Sequence, residues 1–209
     1  WNGIVSDLYN ATIDTRELVQ KRAKISDNQL KNILPIHPYT ALLLKHISSA
    51  FGSNQRSMFE FIGKNSEDDS KGFQWFIENY GPYDADPFLT VDMLWNYFYE
   101  KGRDSLSSEI RSILDCYSPT TAEELRNDQK RVFKTILLLQ AISQKVGDTV
   151  ELFIPNEKNI ENAFEGSEIV NARSIAEGLV RENIIYTKHL GNNKYQYSVL
   201  TSATDTKVI

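Results

Sequence analysis

The sequence predicts a mainly α protein: a helical bundle followed by a winged-helix domain with a small β-hairpin. Three observations predict it. Apolar residues recur at helical spacing through most of the first 129 residues, prolines and capping residues cut that pattern into short segments, and residues 122–199 run as three helical patterns followed by two strand-like runs.

At the N-terminus Trp1, Ile4, Val5 and Leu8 recur as one helical face. Ser26 followed by Gln29 is a capping-box pair ahead of Leu30, Ile33 and Leu34. Pro35 and Pro38 then interrupt. Proline has no amide donor and fits only a first helical turn, so the Pro-Ile-His-Pro run is a connector whose Pro38 opens a helix reaching Ala50. Gly52 ends that helix, and Asn54 is an N-cap for the next, which carries Arg56 beside an apolar face. Residues 64–72 are polar and acidic, a solvated loop. Ten aromatics follow between Phe73 and Tyr99, with Glu78, Asp84, Asp86 and Asp92 among them. Stacking on single-stranded bases needs a basic groove, so this stretch reads as helix packing or a protein interface.

Pro119 stops a helix, and Thr121 with Glu124 forms a further capping box. The domain boundary is therefore expected near 120, giving a helical domain over 1–119, a winged helix over 120–200 and a tail over 201–209. In the second domain a long helix, 122–145, turns Val132, Ile136, Leu139 and Ile142 inward. A short helix begins at Asn156, after Pro155, and a third covers about 167–183 with Ile169, Ile175, Leu179 and Val180 apolar. The runs 184–190 and 194–199 are strand-like, and Gly191 and Asn192 between them tolerate the positive backbone angles of a tight hairpin.

Composition narrows the chemistry. Net charge is −5, with 13 basic against 19 acidic residues up to residue 129 and 9 against 8 from 130 to 199. No part is the strongly basic footprint of a dedicated nucleic-acid binder. No apolar run approaches the roughly 20 residues a bilayer crossing needs, so no membrane partner is expected. One cysteine, Cys116, reads as a buried reduced thiol in a cytoplasmic setting. The only Gly-Lys pair, Gly63 and Lys64, has Met58 where a phosphate loop needs its first glycine, so the chain holds no such loop and no nucleotide cofactor is expected on it. His37, His46 and His189 are too scattered for a zinc site or a catalytic base, and the loop carboxylates Asp84 and Asp86 have nothing beside them in sequence to raise one pKa. No catalytic or metal-ligating residue is assigned, and the chain alone is not expected to be an enzyme.

A winged helix offers its third helix to DNA and its hairpin to the backbone. Arg173 and Arg181 on the helix, with Lys188, His189 and Lys194 on the wing, are the DNA-contact candidates. Residues 171–199 hold 4 basic and 2 acidic residues, enough for a few phosphate contacts. A structural or protein-contact use of the same unit stays open beside it.

The stretch 37–62, HPYTALLLKHISSAFGSNQRSMFEFI, resembles a pattern just beyond the P-loop core of large bacterial phage-defence ATPases of the BREX type. The resemblance rests on His37, Pro38, Thr40, Leu42 to Leu44, Asn54, Gln55, Arg56, Ser57, Phe59 and Phe61; Gln55 and Ser57 stand where the family has glutamate and threonine. It implies that residues 1–119 are a lid and that the chain, which opens at Trp1 without a leader, is expected to be a segment of a multidomain ATPase. It also implies that ATP and Mg belong to the missing P-loop core of the same chain. Arg56 would then sense nucleotide phosphate, since a planar, permanently charged guanidinium can register loss of the γ-phosphate. Partners implied are that core, double-stranded DNA and other defence-system proteins. A free-standing DNA-binding regulator and a protein-interaction scaffold are the alternatives.

Overall fold

The protein is described by a computed structural model, which covers residues 2–51, 58–63, 71–118, 123–147, 150–191 and 194–201. It is mainly helical with one two-stranded antiparallel hairpin, as the sequence predicts. Helix α1 covers Asn2–Asn10, α2 Ile13–Ala23, α3 Asp27–Asn32 and α4 Pro38–Ala50. Short helices α5, Met58–Gly63, and α6, Phe73–Asn79, precede a π-helical turn over Asn96–Glu100 and α7, Ser108–Leu114. Then come α8, Asn127–Val146, α9, Glu157–Ala163, α10, Ala172–Arg181, and strands β1, Tyr186–Gly191, and β2, Lys194–Ser198.

Local chemistry sets several of these boundaries as expected. The Ser26 hydroxyl accepts from Gln29 N while the Gln29 side chain accepts from Ser26 N, closing the capping box of α3. Pro38 opens α4, and His37 caps it by accepting from Tyr39 N at 3.2 Å. Asn156 caps α9, accepting from Asn159 N at 2.9 Å. The turn after Asn54, the capping pair at Thr121 and the tail beyond Thr201 lie outside the described residues.

Two boundaries move. Helix α8 begins at Asn127, where Gln129 folds back to accept from Arg126 N at 3.0 Å, five residues later than its apolar pattern suggests. Helix α10 begins at Ala172, after Asn171 in the left-handed region at φ 61°, because residues 167–170 turn to deliver Glu168 to a buried arginine.

Helix α8 is the hub. Val132, Ile136, Leu139 and Ile142 are fully buried as predicted, and so are Thr135, Leu137, Leu138 and Ala141, so the helix is covered nearly all round. It packs against α4, α7 and the 3-10 turn Val91–Met93 on one side and against α9, α10 and β2 on the other. A single apolar cluster therefore runs from Tyr9 to Val199, across residue 120. The aromatic stretch is part of it: Phe76, Trp95, Tyr97 and Phe98 are buried, with Phe76 stacked on Tyr80 at 4.9 Å and Trp95 against Tyr99 at 4.5 Å. Tyr83 is 82% exposed. No described helix is long and apolar enough to cross a membrane.

Candidate nucleic-acid interface

Helices α8, α9 and α10 followed by β1 and β2 have the element order of a winged helix, with α10 in the recognition position. The hairpin register pairs Tyr186 with Ser198, Thr187 with Tyr197, Lys188 with Gln196 and His189 with Tyr195. Gly191 takes φ 85° at the turn. Tyr197 N donates outward to Pro155 O at 2.8 Å, which docks β2 on the segment before α9 and leaves β1 as the outer strand. The Gln140 side chain accepts from Val199 N at 3.0 Å, fastening the end of the hairpin to α8.

Four of the five DNA-contact candidates fall into two pairs. Arg173, at the start of α10, forms ion pairs with Glu157 at 3.0 Å and Glu177 at 2.9 Å, and these carboxylates, Glu177 first, raise its pKa. Lys194, the first residue of β2, donates to Glu151 at 2.6 Å, and Glu151 also holds Arg22 of α2 at 3.2 Å. Lys194 and then Arg22 lower the Glu151 pKa. The Tyr195 hydroxyl bonds Glu157, which raises its pKa, so one carboxylate gathers both α10 and β2. Arg181 and Lys188, by contrast, are exposed with no ion pair among the described residues, and His189 is exposed on β1. Arg56 lies outside the described residues.

Glu151 and Glu157 also border a cleft of about 770 Å³ between α2, the 151–159 segment and the hairpin, with Leu18, Leu152 and Ile154 on its walls. Thus the segment joining α8 to α9 does more than connect them: it supplies counter-charges to the hairpin and to α10.

A second constellation lies where sequence reasoning saw loops. Arg131 of α8 is 8% exposed and donates through Nε to Asp92 at 2.7 Å, through one terminal nitrogen to Asp86 and to Glu168 at 2.8 Å, and through the other to Thr90 at 3.1 Å. Asp86 accepts in addition from Glu168 N at 3.2 Å, and Thr90 donates to Asp92 at 2.6 Å. Burial opposes charging the guanidinium, but Asp92 and Asp86 outweigh it and hold its pKa above the usual value. Asp86 and Asp92 are thus ligands of a buried cation. Spacing shows only that Arg131 shares a helical face with Thr135, Leu138 and Ile142 and so needs partners; it does not show which acids meet it.

His37 is fully buried, with Nε2 at 2.9 Å from Glu165 O, Nδ1 accepting from Tyr39 N and its ring edge-on to Phe88 at 5.7 Å. With Nδ1 accepting, Nε2 carries the proton. Burial, against the Glu165 carbonyl, pushes its pKa down to about 4. It is a neutral cap. Cys116 is half-buried with a raised pKa, from burial and then Asp115, which leaves the thiol unactivated.

No protein family, characterised protein or solved structure matched this chain on comparison.

Proposed function

We propose that this chain is a non-catalytic coupling unit of a multidomain P-loop ATPase resembling the BREX-type phage-defence proteins, which relays nucleotide state from a helical lid to duplex DNA held by the winged-helix unit. The observation that carries the reading is the sharing of α8. The same helix is the first of the winged-helix unit and the packing centre of the helical half, and Arg131 ties it to Asp86 and Asp92 on one side and Glu168 on the other. Force applied to one half reaches the other through a buried, charge-locked contact.

DNA contact is supported by Arg181 of α10 and Lys188 of β1, exposed cations with no ion pair among the described residues. Each phosphate contact contributes about −0.9 to the slope of log K against log salt, so two give a slope of about −2. Titrating a labelled duplex with the chain over a salt series tests this. The expected result is weak binding with that shallow slope, abolished by Arg181→Ala/Lys188→Ala; retention of binding in the double variant would refute the assignment. In the joined ATPase, Arg56→Ala is expected to lower ATP turnover, and unchanged turnover would discard its role as a nucleotide sensor.

A protein partner is the second reading, favoured by the exposed apolar side chains of α5 and α6: Phe59 is 78%, Ile62 38% and Ile77 47% exposed. Protection of these helices from side-chain labelling on addition of a defence-system protein, with none on addition of duplex, would select it.

A further inference from the structure

The segment from Glu151 to Glu157 occupies half of the cationic set that a winged helix would turn to DNA. Glu151 holds Lys194 at 2.6 Å and Glu157 holds Arg173 at 3.0 Å, six residues apart on one strap. The strap is fixed in shape. Asn159 Nδ2 donates to Glu151 O at 2.7 Å and Ile154 O at 2.8 Å, Pro155 O accepts from Tyr197 N, and Leu152 O accepts from the buried Tyr39 hydroxyl. Its carboxylates are therefore presented at set positions, one to the wing and one to the recognition helix.

We propose that this acidic strap is a built-in competitor for nucleic acid: Glu151 and Glu157 stand in for phosphates at Lys194 and Arg173, and the winged-helix unit is held in a low-affinity state until the strap is displaced. The inference rests on the DNA reading above. Its physical basis is the balance of exchange. The pairs are solvent-exposed, with side-chain exposures of 62% and 45% for Lys194 and Glu151, and such pairs are individually weak. A polyanion displaces them, but each cation so recruited must leave a carboxylate first, and the freed carboxylate then repels the incoming phosphate. Movement of the 151–157 segment relative to the hairpin would release Lys194 and leave Arg173 to Glu177 alone. Arg22 of α2 shares Glu151, so displacement of α2 in the helical half bears directly on the strap.

The test compares the full chain with Glu151→Gln/Glu157→Gln, an isosteric change on two partly exposed side chains, and with Glu17→Gln/Glu161→Gln, which removes the same net charge from exposed positions outside the strap. Binding of a labelled duplex is followed over a salt series, with thermal melts confirming that each variant is folded. With Lys194 freed outright and Arg173 held by Glu177 alone, the slope is predicted to lie between about −3 and −4 for the strap variant against about −2 for the unaltered chain, with affinity several-fold higher near 0.1 M salt. The control variant is expected to keep the shallow slope. If the unaltered chain binds with slope near −2 and the strap variant matches it, the strap does not compete and only this inference falls. Equal gains in both variants would reduce the effect to bulk charge and overturn it too. No binding by any of the three would remove the DNA reading and the inference with it. The single variant Glu151→Gln, which frees Lys194 and is expected at a slope of about −3, serves if the double variant melts early.

Discussion

Arg131 shows how one side chain can fix the relation of three distant chain segments. Its charge faces Asp86, Asp92 and Glu168, and replacing it with methionine leaves those acids without a cation in a mostly buried site. The expected cost of Arg131→Met is about 3–5 kcal/mol in urea denaturation, and adding Asp86→Leu and Asp92→Leu is expected to recover most of it, since these are the two buried acids it strands and the Glu168 side chain is 41% exposed. His37 gives a pH-dependent counterpart. The unfolded chain takes up a proton on this ring below pH 6.5, whereas the folded chain resists until about 4. Its contribution is therefore complete above pH 6.5 and lost as the pH falls towards 4, by about 3 kcal/mol. The difference in stability between the unaltered chain and His37→Asn over that range isolates it from the carboxylates, and a flat difference would refute it. The place of His37 between two prolines reads as a loop or cap residue, and the structure makes it the cap. The Arg131 constellation was not legible, because Asp86 and Asp92 lie about 40 residues from it and only tertiary structure brings loop carboxylates to a helix.

Among the elements, those whose ends are fixed by local chemistry appear where the sequence places them: α3 by its capping box, α4 by Pro38, α9 by Asn156, the hairpin by Gly191. Those whose ends are fixed by distant contacts move, as α10 does when Glu168 is drawn to Arg131. The DNA-contact candidates show the same division, since the sequence identifies the cations and cannot show that Arg173 and Lys194 are already occupied. Two glycines make the point measurable. Gly166 and Gly191 both have positive φ, 78° and 85°. A Cβ on Gly166 would lie 2.8 Å from Ala11 O and 3.0 Å from the Phe88 ring, whereas one on Gly191 meets nothing within 4 Å. Beside Gly166, the Glu165 carboxylate accepts from Asp14 N at 3.0 Å and Thr15 N at 2.7 Å, tying this turn to the first turn of α2. Gly166→Ala is expected to cost about 2–3 kcal/mol by combining backbone strain with the clash, and Gly191→Ala about 1–2 kcal/mol from strain alone. Equal losses in thermal denaturation would show that the close approach at Gly166 relaxes freely.

For the whole molecule the decisive fact is that the apolar cluster does not divide at residue 120. Phe133 of α8 lies 5.8 Å from Tyr117, Lys134 sits 4.9 Å over the same ring, and Arg131 needs Asp86 and Asp92, so the first helix of the winged-helix unit has essential neighbours in the helical half. Had the two halves been joined by a polar contact, each would melt at its own temperature. With α8 common to both, unfolding either half strips apolar cover and counter-charges from the other, and the free energies are coupled. Scanning calorimetry is therefore expected to show one transition with equal calorimetric and van't Hoff enthalpies, near 150 kcal/mol for a chain of this length at about 60 °C. A chain beginning at residue 120 would leave the Arg131 guanidinium without two of its three acids and the Tyr117-facing side of α8 in water, and it is expected to give no cooperative transition. Two resolved transitions, or a sharp melt from the shortened chain, would mean that the halves are independent, and a relay that depends on a shared rigid helix would lose its mechanical basis.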